Sequence, residues 1–156
     1  SPGVEGLSVA VGMKASKIVV ANAAGNNVSV TFLERDFLDA KNYNTLPVFD
    51  VIISNPPYIP EDEKILLDKN VTLHEPHAAL FVPQNDPLLF YRKILSFAKE
   101  HLAKDGKIFL EVHQAFAKET ALLFTENNYD ALVKKDISGN DTMVIVCGKD
   151  DGTQAD

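Results

Sequence analysis

Asn55-Pro56-Pro57-Tyr58 combines residue types that can hold a planar amine. Asn55 offers a carboxamide oxygen and Pro56 a main-chain carbonyl. Proline has no N–H, fixes its own φ and restricts the residue before it to extended backbone. The two acceptors are therefore held stiffly. Tyr58 adds a flat apolar face beside them. An NH2 group lying against that face could donate one hydrogen bond to each acceptor. Such a site suits an exocyclic amine or a carboxamide.

The element that must position this turn is the run Val48-Phe49-Asp50-Val51-Ile52-Ile53-Ser54. Val51, Ile52 and Ile53 are consecutive and apolar without alternation, the pattern of a strand covered on both faces, as in the centre of a parallel sheet. Two prolines in a row then forbid both strand pairing and helix. The chain is predicted to leave the sheet at the carboxyl end of this strand, where ligands bind in open α/β sheets.

Asn55-Pro56-Pro57-Tyr58-Ile59-Pro60 is followed by His74-Glu75-Pro76-His77-Ala78-Ala79-Leu80, by Asp86-Pro87-Leu88-Leu89-Phe90-Tyr91-Arg92-Lys93-Ile94 and by Gly106-Lys107-Ile108-Phe109-Leu110-Glu111-Val112. Together these segments resemble the HemK/PrmC family of glutamine N5-methyltransferases, which use S-adenosylmethionine to modify peptide-chain release factors. The resemblance runs from about Val28 to Lys149. It implies that Asn55, Pro56 and Tyr58 are catalytic and that Pro57, Glu75 and Pro76 complete the substrate site. Glu75 as a loop brace that accepts backbone N–H bonds is the plainer reading of that residue. The resemblance also implies that Asp36, Phe37 and Asn55 line the cofactor, with Asp36 facing the adenine amine and Phe37 packing on the ring. The plainer alternative is that Asp36 caps a turn and Phe37 is core. The implied reaction is in-line attack of a glutamine carboxamide nitrogen on the sulfonium methyl. The implied partner is a release factor presenting a Gly-Gly-Gln loop.

The rest of the chain fits an ordinary globular protein. Its 156 residues are enough for one domain with a proper core, and 46% are hydrophobic. A formal charge of -7 weighs against tight binding to a nucleic-acid backbone. The single cysteine, Cys147, excludes an internal disulfide and is expected to be a buried strand residue. Neither a signal peptide nor an apolar run near about 18 residues is present, which points to a cytoplasmic protein without membrane contact. His74 and His77 flank Glu75, but no further ligands stand at metal-site spacing, so no metal is expected.

Apolar spacing predicts a strand over 7–11, a helix over 13–24, a strand over 28–33 and a short helix over 61–70. Asp86-Pro87 reads as a cap followed by proline at the first helical position, opening a helix that ends at Lys104 and Gly106. A strand over 107–112, a helix over 114–127 with Ala115, Phe116, Leu122 and Leu123 inward, and a hairpin of 129–135 with 142–148 follow. The expected fold is a three-layer α/β domain. Its sheet is Rossmann-like and mostly parallel, and ends in an antiparallel hairpin. It occupies residues 1–149, with 150–156 a disordered tail.

The family pattern is not complete. Its first strand and Gly-x-Gly-x-Gly loop have no counterpart, and the acidic residue that would hold the ribose falls near Ala10 or Val11. Thr142 stands where the family usually has arginine. Ser1 is not an initiating Met, so the chain reads as an excised piece of a longer protein rather than a degenerate relative. Without the first strand, the strands near Leu7 and Val48 must pair directly or a second copy must fill the gap, which predicts some oligomerisation. Two other functions stay open: an adenine N6-methyltransferase acting on nucleic acid, and a non-catalytic module that has lost its cofactor.

Overall fold

The computed structural model describes residues 5–10, 25, 29–56, 59–60, 81–82 and 86–148. The chain divides into two compact units, 1–46 and 47–156, each described by itself. The predicted helices over 13–24 and 61–70 and the tail over 150–156 lie outside the described residues.

In the first unit, strand β1 (Glu5–Ala10) pairs in parallel with β2 (Ser29–Glu34), with Gly6 beside Val30 and Val9 beside Leu33. Both strands fall within a residue or two of the sequence prediction.

The second unit is built on a four-stranded sheet. Its strands are β3 (Phe49–Ser54), β6 (Leu102–Glu111), β7 (Tyr129–Lys135) and β8 (Asp141–Gly148). Their order is β3-β6-β8-β7. β3 and β6 run parallel, whereas β8 is antiparallel to both β6 and β7. A two-residue parallel pair, β4 (Ile59–Pro60) with β5 (Phe81–Val82), stands apart. Among the described residues, three of the five ladders are parallel and the antiparallel pairs are C-terminal.

The core of this unit lies where helix α1 (Leu89–His101) and helix α2 (Ala117–Thr125) meet the sheet. Tyr91, Ile94, Leu95, Phe97 and Ala98 recur at helical spacing on α1 and are all buried. They share the interior with Ile108 and Leu110 of β6, Val112, and Val144 and Val146 of β8. Each such aliphatic side chain contributes about 1.5–3 kcal/mol on leaving water.

Several expectations are corrected. Asp86 does not cap α1: the helix begins at Leu89 with Leu88 at the cap position and no side-chain cap. Asp86 instead supplies the carbonyl that accepts from Leu89 N at 3.2 Å and a carboxylate paired with Arg92. The helix ends earlier, at His101, because the chain turns straight into extended backbone at Leu102 (φ -100, ψ 130). That leaves an excursion in β6. Phe49 stands opposite Leu102, but Val51 stands opposite Lys107. Gly106 is needed there, since a Cβ would lie 2.7 Å from Leu102 Cδ1 and 2.8 Å from the Ala103 carbonyl oxygen.

The segment 114–127 opens with a 3-10 turn, Gln114–Phe116, before α2 begins. The turn changes the helical phase, so the buried face is Ala117, Thr120 and Phe124, while Leu122 is 54% exposed. Cys147 is half-buried rather than buried.

β3 is the largest departure. Val51 is 49% and Ile53 80% exposed, so the strand is not covered on both faces. The reason is position: among the described residues β3 pairs with β6 alone, and its other edge has no ladder partner. Direct pairing of the strands near Leu7 and Val48 is absent from the described ladders, where β1 pairs with β2.

Burial separates the two kinds of isoleucine. Ile108→Ala is expected to cost about 2–5 kcal/mol in urea unfolding, through lost burial plus the cavity left behind. Ile53→Ala should stay within about 0.5 kcal/mol of the parent chain. Comparable losses at both positions would show that β3 is covered in solution.

Candidate functional site

β3 runs parallel to β6 with Ser54 opposite Leu110. Asn55 follows Ser54 and Glu111 follows Leu110, so the next step along the register places Asn55 beside Glu111. Both are exposed, whereas Pro56 is buried. A buried proline cannot swing out, so the Asn55 main chain is anchored at the carboxyl end of the strand. Pro57, Tyr58, Glu75 and Pro76 lie outside the described residues. Of the proposed amine-binding turn, the structure thus locates Asn55 and Pro56.

The neighbouring strand end is firmly held. Tyr91 is fully buried in α1, and its hydroxyl donates to the Glu111 carbonyl oxygen at 3.1 Å. Val112 N donates to the Thr142 carbonyl oxygen at 2.9 Å. His113 caps the 3-10 turn, its Nδ1 accepting from Ala115 N at 3.2 Å. An accepting Nδ1 places the proton of a neutral imidazole on Nε2.

Beside these residues is an open cleft of about 250 Å3 lined by Glu111, Val112, His113, Gln114, Asn140 and Thr142. Its far wall is the β7–β8 connection, which is organised around one carboxylate. Asp136 Oδ1 accepts from Ser138 N at 2.8 Å and from Asn140 N at 2.9 Å. Asp136 N in turn donates to the Asn140 carbonyl oxygen at 2.9 Å, and Gly139 takes φ 86 to close the turn. The Asn140 main-chain N–H, with Ser138 N–H and the Asn140 and Thr142 side chains, holds the Asp136 carboxyl below its ordinary range. Sequence reasoning did not mark this cleft. The one available signal was the polar residues Glu111, His113 and Gln114 at the carboxyl end of a parallel strand.

In the first unit, Asp36 and Phe37 follow β2. Asp36 Oδ1 accepts from Leu38 N at 2.8 Å, and the Asp36 carbonyl oxygen accepts from Asn42 Nδ2 at 2.9 Å. Phe37 is half-buried, its ring centroid 5.0 Å from that of Tyr43. The turn-capping and packing roles are therefore present. The chemistry also fits the adenine end of S-adenosylmethionine. An exposed carboxylate can accept from an amine, and an aromatic ring beside it can pack on a base. Tyr43 is buried, and its pKa is pushed up to about 12 by burial, with the Asp36 and Asp39 carboxylates adding to the shift.

Among the described residues no group of three or more His, Cys, Asp or Glu could hold a metal ion, and His74, Glu75 and His77 lie outside them. No helix of the described residues is long and apolar enough to cross a membrane.

Two measurements follow from the Tyr43 hydroxyl and the Asp136 carboxylate. Raising the folded-state pKa of Tyr43 makes its contribution to stability complete below about pH 10 and lost as pH rises toward about 12. The denaturant midpoint should fall over that window, and Tyr43→Phe should flatten the slope. The Asp136 shift has the opposite sign. Its contribution is present above the ordinary carboxyl range and lost as pH falls through the lowered value. Asp136→Ala should therefore raise the exchange rates of the Ser138 and Asn140 amides at neutral pH, with unchanged rates in the core of β6.

Comparison with known proteins places the chain. No family model matches it. It is 42% identical over 146 residues to a release factor glutamine methyltransferase of Flavobacterium psychrophilum, covering 93% of this chain and 50% of that protein. To the protein of the same name from Bacteroides thetaiotaomicron it is 39% identical over 134 residues, covering 83% and 48%. A crystal structure of a release factor-specific protein-(glutamine-N5) methyltransferase from Alicyclobacillus acidocaldarius aligns with a TM-score of 0.55 at 26% identity, covering 95% of this chain and 82% of that one. A methyltransferase from Pyrococcus furiosus shares the fold with a TM-score of 0.59 at 18% identity. The chain spans about half the length of the curated relatives it matches. The sheet is accordingly a Rossmann-like methyltransferase sheet with a C-terminal antiparallel hairpin, and the chain is similar to release factor glutamine methyltransferases along nearly its whole length.

Proposed function

We propose that this chain carries the amide-binding half of an S-adenosylmethionine-dependent glutamine N5-methyltransferase, whose substrate is the Gly-Gly-Gln loop of a peptide-chain release factor. The observation that carries this reading is the strand end at Asn55-Pro56. A parallel strand stops at an exposed carboxamide whose following proline is buried. The relatives' shared name supports the substrate class. Residues 1–149 would then form part of the catalytic domain.

Amide nitrogen is a poor nucleophile because its lone pair is delocalised into the carbonyl. The Asn55 side-chain oxygen and the Pro56 carbonyl would accept the two N–H bonds of the glutamine carboxamide. That contact fixes the nitrogen and favours positive charge as it develops there. Tyr58 would pack on the amide plane, with Pro57, Glu75 and Pro76 shaping the pocket. Asp36 would accept from the adenine amine and Phe37 would pack on the base. Bound S-adenosylmethionine supplies the methyl group.

The test is methyl transfer to a Gly-Gly-Gln peptide, measured on the longest gene product that contains these residues. Asn55→Ala should lower kcat roughly 100-fold, since one misplaced contact at the reacting group costs about that much. Unchanged kcat, or transfer to an adenine-containing oligonucleotide instead of the peptide, would overturn the reading. Calorimetric titration of the 156-residue chain itself with S-adenosylmethionine should give weak or no heat, because it lacks the glycine loop.

A further inference from the structure

The acceptor pair at Asn55 and Pro56 can grip only the tip of a glutamine side chain. A polypeptide carries one N–H and one C=O per residue besides, and those main-chain groups need partners when they leave water. The cleft beside the pair is placed to supply them. The register sets Asn55 of the β3 end next to Glu111 of the β6 end, and Val112 bonds to Thr142 of β8 at 2.9 Å. Asn55, Glu111 and Thr142 thus lie in order along one edge of the sheet, formed by the carboxyl ends of β3 and β6 and the amino end of the antiparallel β8. Two strand spacings amount to about 10 Å. An extended chain covers that distance in about three residues.

The chemistry of the lining agrees. Glu111 is an acceptor, Gln114 and Asn140 each offer both an acceptor and donors, and Thr142 offers a hydroxyl. The only formal charge among the six lining residues, with histidine neutral, is negative, so the cleft favours N–H donors over phosphate or carboxylate groups. At about 250 Å3 and open to solvent it is below the ~300–1,000 Å3 of pockets that enclose a whole small molecule. Its walls are fixed in advance by the Tyr91–Glu111 bond and by the Asp136-centred turn, so a bound segment would not have to order them.

We infer that the cleft lined by Glu111, Gln114, Asn140 and Thr142 is a subsite for the substrate polypeptide, holding about three extended residues on one side of the target glutamine. Glu111 and Asn140 act there as binding residues, accepting main-chain N–H groups. This rests on the reading of Asn55 as the amide-binding residue.

The experiment uses the isotope-labelled 156-residue chain and two probes followed by amide chemical shifts. One probe is N-acetyl-glutamine-N-methylamide. The other is a short blocked peptide with Gly-Gly-Gln at its centre. Both should perturb the Asn55 amide, and only the peptide should perturb Glu111, His113 and Asn140. Glu111→Gln keeps the side chain's size and removes its charge. It should weaken the peptide roughly tenfold, the worth of one hydrogen bond to a charged group, and leave the single-residue probe unchanged. Asn140→Ala keeps the main-chain bonds of the turn and should act in the same direction. Equal affinity for the two probes, or equal losses in Glu111→Gln, would overturn the subsite while leaving the Asn55 reading intact. Peptide binding that depends on Glu111 but not on Asn55 would support the subsite and overturn the amide reading. No shift with either probe would overturn both.

Discussion

The parallel ladder of β3 on β6 is the constraint on which the rest of the second unit depends. Ser54 opposite Leu110 fixes which residues emerge together at the carboxyl edge. A slip of one position would turn every side chain of β3 to the other face. It would also separate Asn55 from Glu111. The core enforces the register: Ile108 and Leu110 are buried at 0% and 1% exposure, and β8 is bonded alongside β6. Apolar packing far from any ligand thus decides where the polar groups stand.

The sequence was most legible where a single residue type has few structural uses. Pro56 and Pro57 end a strand wherever they occur, and β3 stops at Ser54 as expected. The hairpin of β7 and β8 was legible because alternation flanks a turn rich in Asp, Ser, Gly and Asn. The face of α2 was not. Three residues of 3-10 turn rotate the helix, so Thr120 became core and Leu122 became surface. Nothing in the local spacing announces such a change of phase. The β3 triplet Val51-Ile52-Ile53 misled for another reason. Consecutive apolar residues state what a strand would bury, and only its neighbours decide whether it does.

The cleft at Glu111 escaped sequence reading because its walls come from segments far apart in the chain. Only the sheet order β3-β6-β8 brings Asn55, Glu111 and Asn140 to one edge. The reading of Asp36 was half legible. Its carboxylate caps a turn through Leu38 N at 2.8 Å, which any Asp in that setting could do. Such a cap leaves the second oxygen of the carboxylate for other work, so one residue can serve the turn and a ligand together.

Tyr91 carries a consequence for how mutations in this protein would be interpreted. It opens a buried helical stripe, and its ring contributes packing like its neighbours Ile94 and Leu95. Its hydroxyl, however, ends on the carbonyl of Glu111 at 3.1 Å. A change of Tyr91 to phenylalanine would keep the ring and remove the hydroxyl that makes that bond. In a mutational scan scored by activity, such a position would be grouped with the substrate-contacting residues, although it touches no substrate. In one scored by abundance, it would be grouped with the core. Disagreement between the two scores at an interior tyrosine would therefore report on how tightly the interior is geared to the edge of the sheet.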